Sequence, residues 1–471
     1  MKNTYKNIFI YSYTFFILAS LNVNPNNFIL ESGENSIKIL NIFRFFFPTL
    51  MLIIFIFFKK RWLLKNLHSD NSFISKLSVL FFLILLFFSM ANSFYQLENL
   101  YFILYFNIFA NLYILTNYFK AEILVKNFFF ILLIYFCYWF LNILTELLTL
   151  NKQSSIFNLL LNLRNAETHM LNFTYFLDNS ALNSNGVARI LSIIFLILLS
   201  YQLFFKKKIW IYLSLFLVFF LIYSLQSKFS YYTLMLTSLL IIFINKKNKL
   251  KEFLIVLVIF IFPILVGSLS QSNYFESNKK NAINKYKFLE PNRLIDPINK
   301  SSDININESI NFENNYYFSK FGFSKNITSA LISLNKITTG RIEIWINYVA
   351  FKNQTNYFFG LGILSDKVIF STSSSNALVY SYFTAGILGS FCYLIIFFIF
   401  CKNFIKYFFY NNNHDMRLIF HIIGFFLITR TIIENGFLNY GLDLFLILIC
   451  FEAINRDKLN FYKPQLFKMR K

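Results

Sequence analysis

ALVYSYFTAGILGSFCYLIIFFIF, Ala377 to Phe400, carries no charged side chain over the length a helix needs to cross roughly 30 Å of hydrocarbon. Similar apolar runs recur through the chain, at 7–22, 39–58, 74–94, 99–118, 125–146, 187–205, 209–226, 229–245, 252–270, 376–400, 416–433 and 437–454. A soluble core helix has no reason to repeat that length. Of the 471 residues 57% are hydrophobic and only 14% charged, which is more apolar than an ordinary soluble domain. The expected fold is therefore an all-α integral membrane protein of about 12 transmembrane helices.

Charge sets the expected topology. A net charge of +22 in a soluble protein would suggest a nucleic-acid partner. Here most of the excess lies between apolar runs, and every second connection is basic: Lys59 to Lys65, Lys120 and Lys126, Lys206 to Lys208, Lys246 to Lys251, and Lys402, Lys406 and Arg417. That is the positive-inside pattern, which puts these segments and both termini in the cytoplasm and leaves no role for nucleic acid. Lys2 and Lys6 precede an apolar stretch with no small-residue cleavage site, so this stretch reads as a first membrane helix.

Three parts follow. Residues 1–270 carry nine helices, with a medium periplasmic loop at 147–186. Residues 271–375 form the large periplasmic loop, with short amphipathic helices. Residues 376–471 hold the last three helices and a basic cytoplasmic tail. Cys137, Cys392, Cys401 and Cys450 lie within or at the ends of apolar runs without metal-like spacing, giving redox chemistry no support. No internal repeat is visible, which weighs against a transporter built from two related halves.

The informative residues gather late in the chain. Phe alone contributes 66 residues and Lys, Asn and Ile fill most loops, as in an AT-rich genome, so the rarer glycines and arginines carry more meaning. Of 12 glycines, six fall between Gly322 and Gly389. In TTGRIEIWINYVAFKNQTNYFFGLGILSD, Thr338 to Asp366, the spacing of Ile342, Trp345, Ile346 and Val349 predicts a short amphipathic helix after Gly340. Arg341 falls in its first turn, where free N–H groups attract anions; a snorkelling surface arginine is the bland alternative. Ala385, Gly386 and Gly389 are expected to allow close helix packing.

Gly340-Arg341, Trp345, Gly360-Leu361-Gly362, Asn376 and Gly386 to Gly389 follow the order "GR, W, GxG, (H)N, GxxG", and in this the chain resembles the O-antigen ligase and O-antigen polymerase (Wzy-type) superfamily of bacterial envelope glycosyltransferases. NSNGVARILSIIF, Asn183 to Phe195, is similar to the family's asparagine-containing helix entry, with Arg189 at its outer end. SLQSKFSYYTLML, Ser224 to Leu236, resembles the family's Ser-Arg segment with Lys228 in place of the arginine. The likeness covers about 170–400. Ser375 stands where the ligases usually have a histidine, which tilts the resemblance toward polymerase. His169, in the earlier loop, is the other histidine considered as a base, although a lone loop histidine is more often simply solvated.

The resemblance implies a polyprenyl-diphosphate-linked glycan donor at the periplasmic face of the inner membrane, with membrane lipid around the chain and a chain-length regulator and a flippase as further partners. It implies no cofactor and no metal, because the diphosphate is already a good leaving group. What the protein must supply is positive charge where negative charge develops. Arg341, Arg189 and Lys228 are the expected catalytic cations, converging on the diphosphate. Gly340, Trp345, Ser375, Asn376 and Arg44 are the expected substrate-binding residues, with packing or snorkelling the equal alternative for Arg44. Arg430 and Glu434, four residues apart, are expected to pair with each other. Glu343, Asp366 and Glu146 are undistinguished candidates for an acceptor-activating base. A ligase acting on lipid A core, and a flippase, remain the alternative activities.

Overall fold

The computed structural model describes residues 121–149, 184–205, 208–225, 227–244, 249–271, 358–362, 376–410, 417–432 and 442–455, with Leu50, Ile53, Ile54, Phe57, Leu331, Arg341, Ile342, Trp345, Ile346 and Glu434. No strand occurs among them. The helices are α1 (Ala121–Thr149), α2 (Ser184–Phe204), α3 (Ile209–Ser224), α4 (Lys228–Ile244), α5 (Lys249–Gln271), α6 (Ala377–Tyr410), α7 (Arg417–Arg430) and α8 (Leu442–Asn455). They match the last eight expected spans to within a few residues at most ends. The spans expected at 7–22, 74–94 and 99–118, the loop at 147–186 beyond its first residues, and both termini lie outside the described residues; within 39–58, the four described residues are helical. The chain divides into two compact units, one of 1–260 with 353–471 and one of 261–352.

In the larger unit α2 and α7 are the central helices. α2 packs on α1, α3, α4 and α7, and α7 also packs on α1, α4, α6 and α8. Eleven of the 14 residues of α7 are buried, so it has no outward stripe. Phe195, Phe219 and Phe260 interlock α2, α3 and the first half of α5, with Phe219 and Phe260 ring centres 4.4 Å apart.

The outward faces of this bundle are apolar, unlike those of a water-soluble one. Outward faces carry Ile209, Leu213 and Leu217 on α3, Leu250, Leu254 and Val258 on α5, and Phe391, Phe398 and Ile405 on α6, all exposed. Inside lie Ser192, Ser200, Thr237 and other small hydroxyls, which donate to the carbonyl four residues earlier on their own helix. Water would penalise such a surface; hydrocarbon does not. By length and composition alone, two described stretches, Gly186–Phe204 and Ala377–Lys406, qualify to cross a membrane, the second with a break described below.

The bundle has two chemically different ends. Lys208, Lys251, Lys402, Lys406 and Arg417 lie at or near the ends of α3, α5, α6 and α7 that form one side. A buried carboxylate is also found there, Glu252, which accepts the Tyr212 hydroxyl at 2.5 Å. The opposite end holds the start of α2, the end of α7 and the start of α8.

One expected span needs correction. The run 376–400 is not a single crossing helix, because α6 breaks at Ala385 (φ −131°, ψ 19°) and Gly386 (φ 66°, ψ −159°) and doubles back. Ser390 Oγ donates to the carbonyl of Leu378 at 3.4 Å, a contact that a straight helix would forbid by roughly 18 Å of rise. Asn376 and Ala377 bond to the end of α7, at Ile432 and Thr431, and Tyr393 bonds Thr431 too, at 2.6 Å. Residues 377 and 393 therefore sit at one level, with a hairpin between them. We call its arms α6a (377–384) and α6b (387–410). α6b then descends antiparallel to α7, with Phe400 packed on Gly424.

Candidate functional site

Three of the sequence motif's pieces are parts of this one hairpin. Gly360-Leu361-Gly362 forms a turn that sits over its tip: the Leu361 and Gly362 amides donate to the carbonyls of Phe383 and Thr384, each at 2.9 Å. Those are last-turn carbonyls of α6a, which a reversal would otherwise leave without a helical donor. Gly360 and Gly386 both have positive φ, 74° and 66°, and each lies against the other segment's backbone with no room for a Cβ. Gly389 is needed for a different reason, since a Cβ there would strike the Ser381 carbonyl on the facing arm. Close packing is thus right for Gly389, whereas Gly386 makes the turn.

Asn376 opens the hairpin. Its Oδ1 accepts the Val379 amide at 2.9 Å, an N-cap, and its Nδ2 donates to the Ile432 carbonyl at 2.5 Å. The side chain is engaged on both sides by the fold, so the structure gives it an architectural role beside the substrate-binding one expected. Asn376→Ala should lower stability by about 1–2 kcal/mol, the loss of one cap and one inter-helix bond. The thermal midpoint of the purified protein reads this directly; an unchanged midpoint would show that the tie carries no load.

Beside the hairpin base, on the same end of the bundle, lie two ion pairs. Arg189 on α2 meets Asp443 on α8 at 2.6 Å, joining residues 254 positions apart. Arg430 meets Glu434 at 2.5 Å, the expected pair, with Arg430 only 2% exposed. Arg189 Nε and Asp443 Oδ1 are both buried and have no hydrogen-bond partner among the described residues. Buried polar atoms are ordinarily satisfied, so this donor and acceptor mark the ion pair as a polar spot in an otherwise apolar bundle.

The remaining expected site residues are distributed as follows. Arg341, Ile342, Trp345 and Ile346 are helical, as their spacing predicts, and half-buried, in the separate unit 261–352. The Trp345 indole N–H is buried with no partner among the described residues. Lys228 is the first residue of α4, but its side chain lies outside the described residues, as do Gly340, Ser375 and Arg44. Asp443 escaped the sequence reading. Its signal was present, an acidic residue at the mouth of an apolar run, where an ionisable group is costly unless partnered.

Comparison with known protein families, with curated proteins and with solved structures finds no match to the chain.

Proposed function

We propose that this protein is a polysaccharide polymerase of the bacterial inner membrane, spanning it about twelve times with both termini cytoplasmic and joining polyprenyl-diphosphate-linked repeat units on the periplasmic face. The observation that carries this reading is the hairpin. Motif pieces scattered from Gly360 to Gly389 serve one compact element, and it is rooted on the end of the bundle that holds Arg189 and Asp443.

In this reading the acceptor hydroxyl attacks the anomeric carbon, the bond to the diphosphate oxygen breaks, and the diphosphate leaves with the electron pair. Cations near that oxygen lower the barrier because the charge develops in a region of reduced dielectric. Arg189 supplies positive charge there while Asp443 holds the guanidinium in place. The resemblance adds Lys228 and Arg341 as further candidate cations, Arg341 belonging to the unit 261–352. Ser375, at the position where the ligases usually carry histidine, favours elongation over ligation.

Cells lacking the protein and complemented with wild type should regain a ladder of long glycans. Arg341→Ala, at equal membrane abundance, should leave single repeat units on the acceptor. Unmodified acceptor accumulating with long glycan still on the carrier lipid would identify a ligase instead. Repeat units trapped on the cytoplasmic face would identify a flippase, and a wild-type ladder from Arg341→Ala would remove that residue from the site.

A further inference from the structure

The tip of the α6 hairpin is apolar and exposed. Phe358 and Phe359 on the clamping turn, Ile387 and Leu388 at the start of α6b, and Phe391 one turn below all face outward, Phe358 at 60% and Phe391 at 61% of full exposure. Ordinary loop tips outside a membrane are polar. The apolar face continues through Leu394 to Phe398, and the exposed Lys402 follows one turn further along α6b.

Its length identifies what covers it. From Ile387 to Lys402 the face covers about 23 Å at about 1.5 Å per residue, and a lysine side chain that snorkels to the interface extends that toward the roughly 30 Å of a bilayer's hydrocarbon. The lower end is marked by Lys402 and Lys406, both exposed and placed to reach the cytoplasmic headgroups. If the lysines mark the inner boundary, the outer boundary falls at the hairpin tip.

We infer that the α6 hairpin is seated in the outer leaflet, its tip covered by the glycerol-proximal part of phospholipid acyl chains, so that the ion-pair layer lies recessed below the hydrocarbon edge. This rests on the membrane reading above and adds depth to it. Tyr393 is level with the end of α7 and Ile387 is six residues higher, which sets the recess at about 9 Å. An anionic headgroup that reaches Arg189 therefore leaves the phosphate plane of its neighbours. Paired charges suit such a depth better than an isolated charge, which would be expensive there.

The test uses the full chain in phosphatidylcholine and phosphatidylglycerol vesicles containing a trace of diazirine phospholipid, followed by peptide mapping. One probe carries the diazirine near the acyl carbonyl, the other at the chain terminus. The expected result is preferential labelling of 358–359 and 387–391 by the shallow probe and of the segment around Phe398 by the deep probe. Labelling of Phe398 by the deep probe with neither probe reaching 358–359 or 387–388 would overturn the inference, placing the tip in water or under another protein, while leaving the membrane reading intact. A tip that prefers the deep probe would overturn it as well. No labelling anywhere on α6b would remove the membrane reading itself, and the inference with it.

Discussion

Gly360→Ala should lower the stability of the protein by about 3–5 kcal/mol, among the largest losses that one added methyl group can cause in it. Two costs combine. Gly360 has φ +74°, a conformation that costs a residue with a Cβ roughly 1–2 kcal/mol. The new methyl also meets the backbone of Thr384, Ala385 and Gly386, and backbone at a helix reversal has no rotamer to switch. The clamp must lift, and the Leu361 and Gly362 amide bonds to α6a are lost with it. Phe359→Ala is the control, because its side chain is half exposed and its deletion leaves the turn intact. Its midpoint should move by only a fraction of the shift for Gly360→Ala. Equal midpoints for the two variants would show that the turn does not rest on the hairpin.

Asp443→Ala should have the second large effect, on stability and elongation together. It strands the half-buried Arg189 guanidinium without its counter-charge, a situation that typically costs about 3–5 kcal/mol. Replacing both partners removes the stranded charge, so Arg189→Leu with Asp443→Leu should recover most of the lost stability. Glycan elongation should still fail in the double variant if Arg189 contributes to the chemistry. A double variant that restores both the midpoint and the long-chain ladder would make the pair purely architectural. Failure of the double variant to recover stability would instead point to partners of Arg189 or Asp443 beyond each other. A thermal melt of each detergent-purified protein and a glycan gel from each complemented strain read the two quantities separately.

Helices were readable because their signal is local. An apolar run of membrane length has few alternatives, and seven of the eight described helices follow the expected spans closely. The Arg430 to Glu434 pair was readable for the same reason, since four residues is one helical turn. The α6 break was not. Ala385 and Gly386 sit in an apolar run whose composition is the same whether it continues or reverses, and the deciding contacts come from Gly360 to Gly362 and from α7.

By itself, then, the chain's own order of residues determined the helical character of the described residues and the positions of most of their helices, because desolvation of backbone and side chains is settled within each run. Only the tertiary structure decided which arginine is held by which carboxylate, that Asn376 is a cap and a tie, and that α6 turns back on itself. Those outcomes depend on groups brought within 3 Å from positions tens to hundreds of residues apart, Arg189 and Asp443 above all, and nothing in either residue's local sequence specifies the partner.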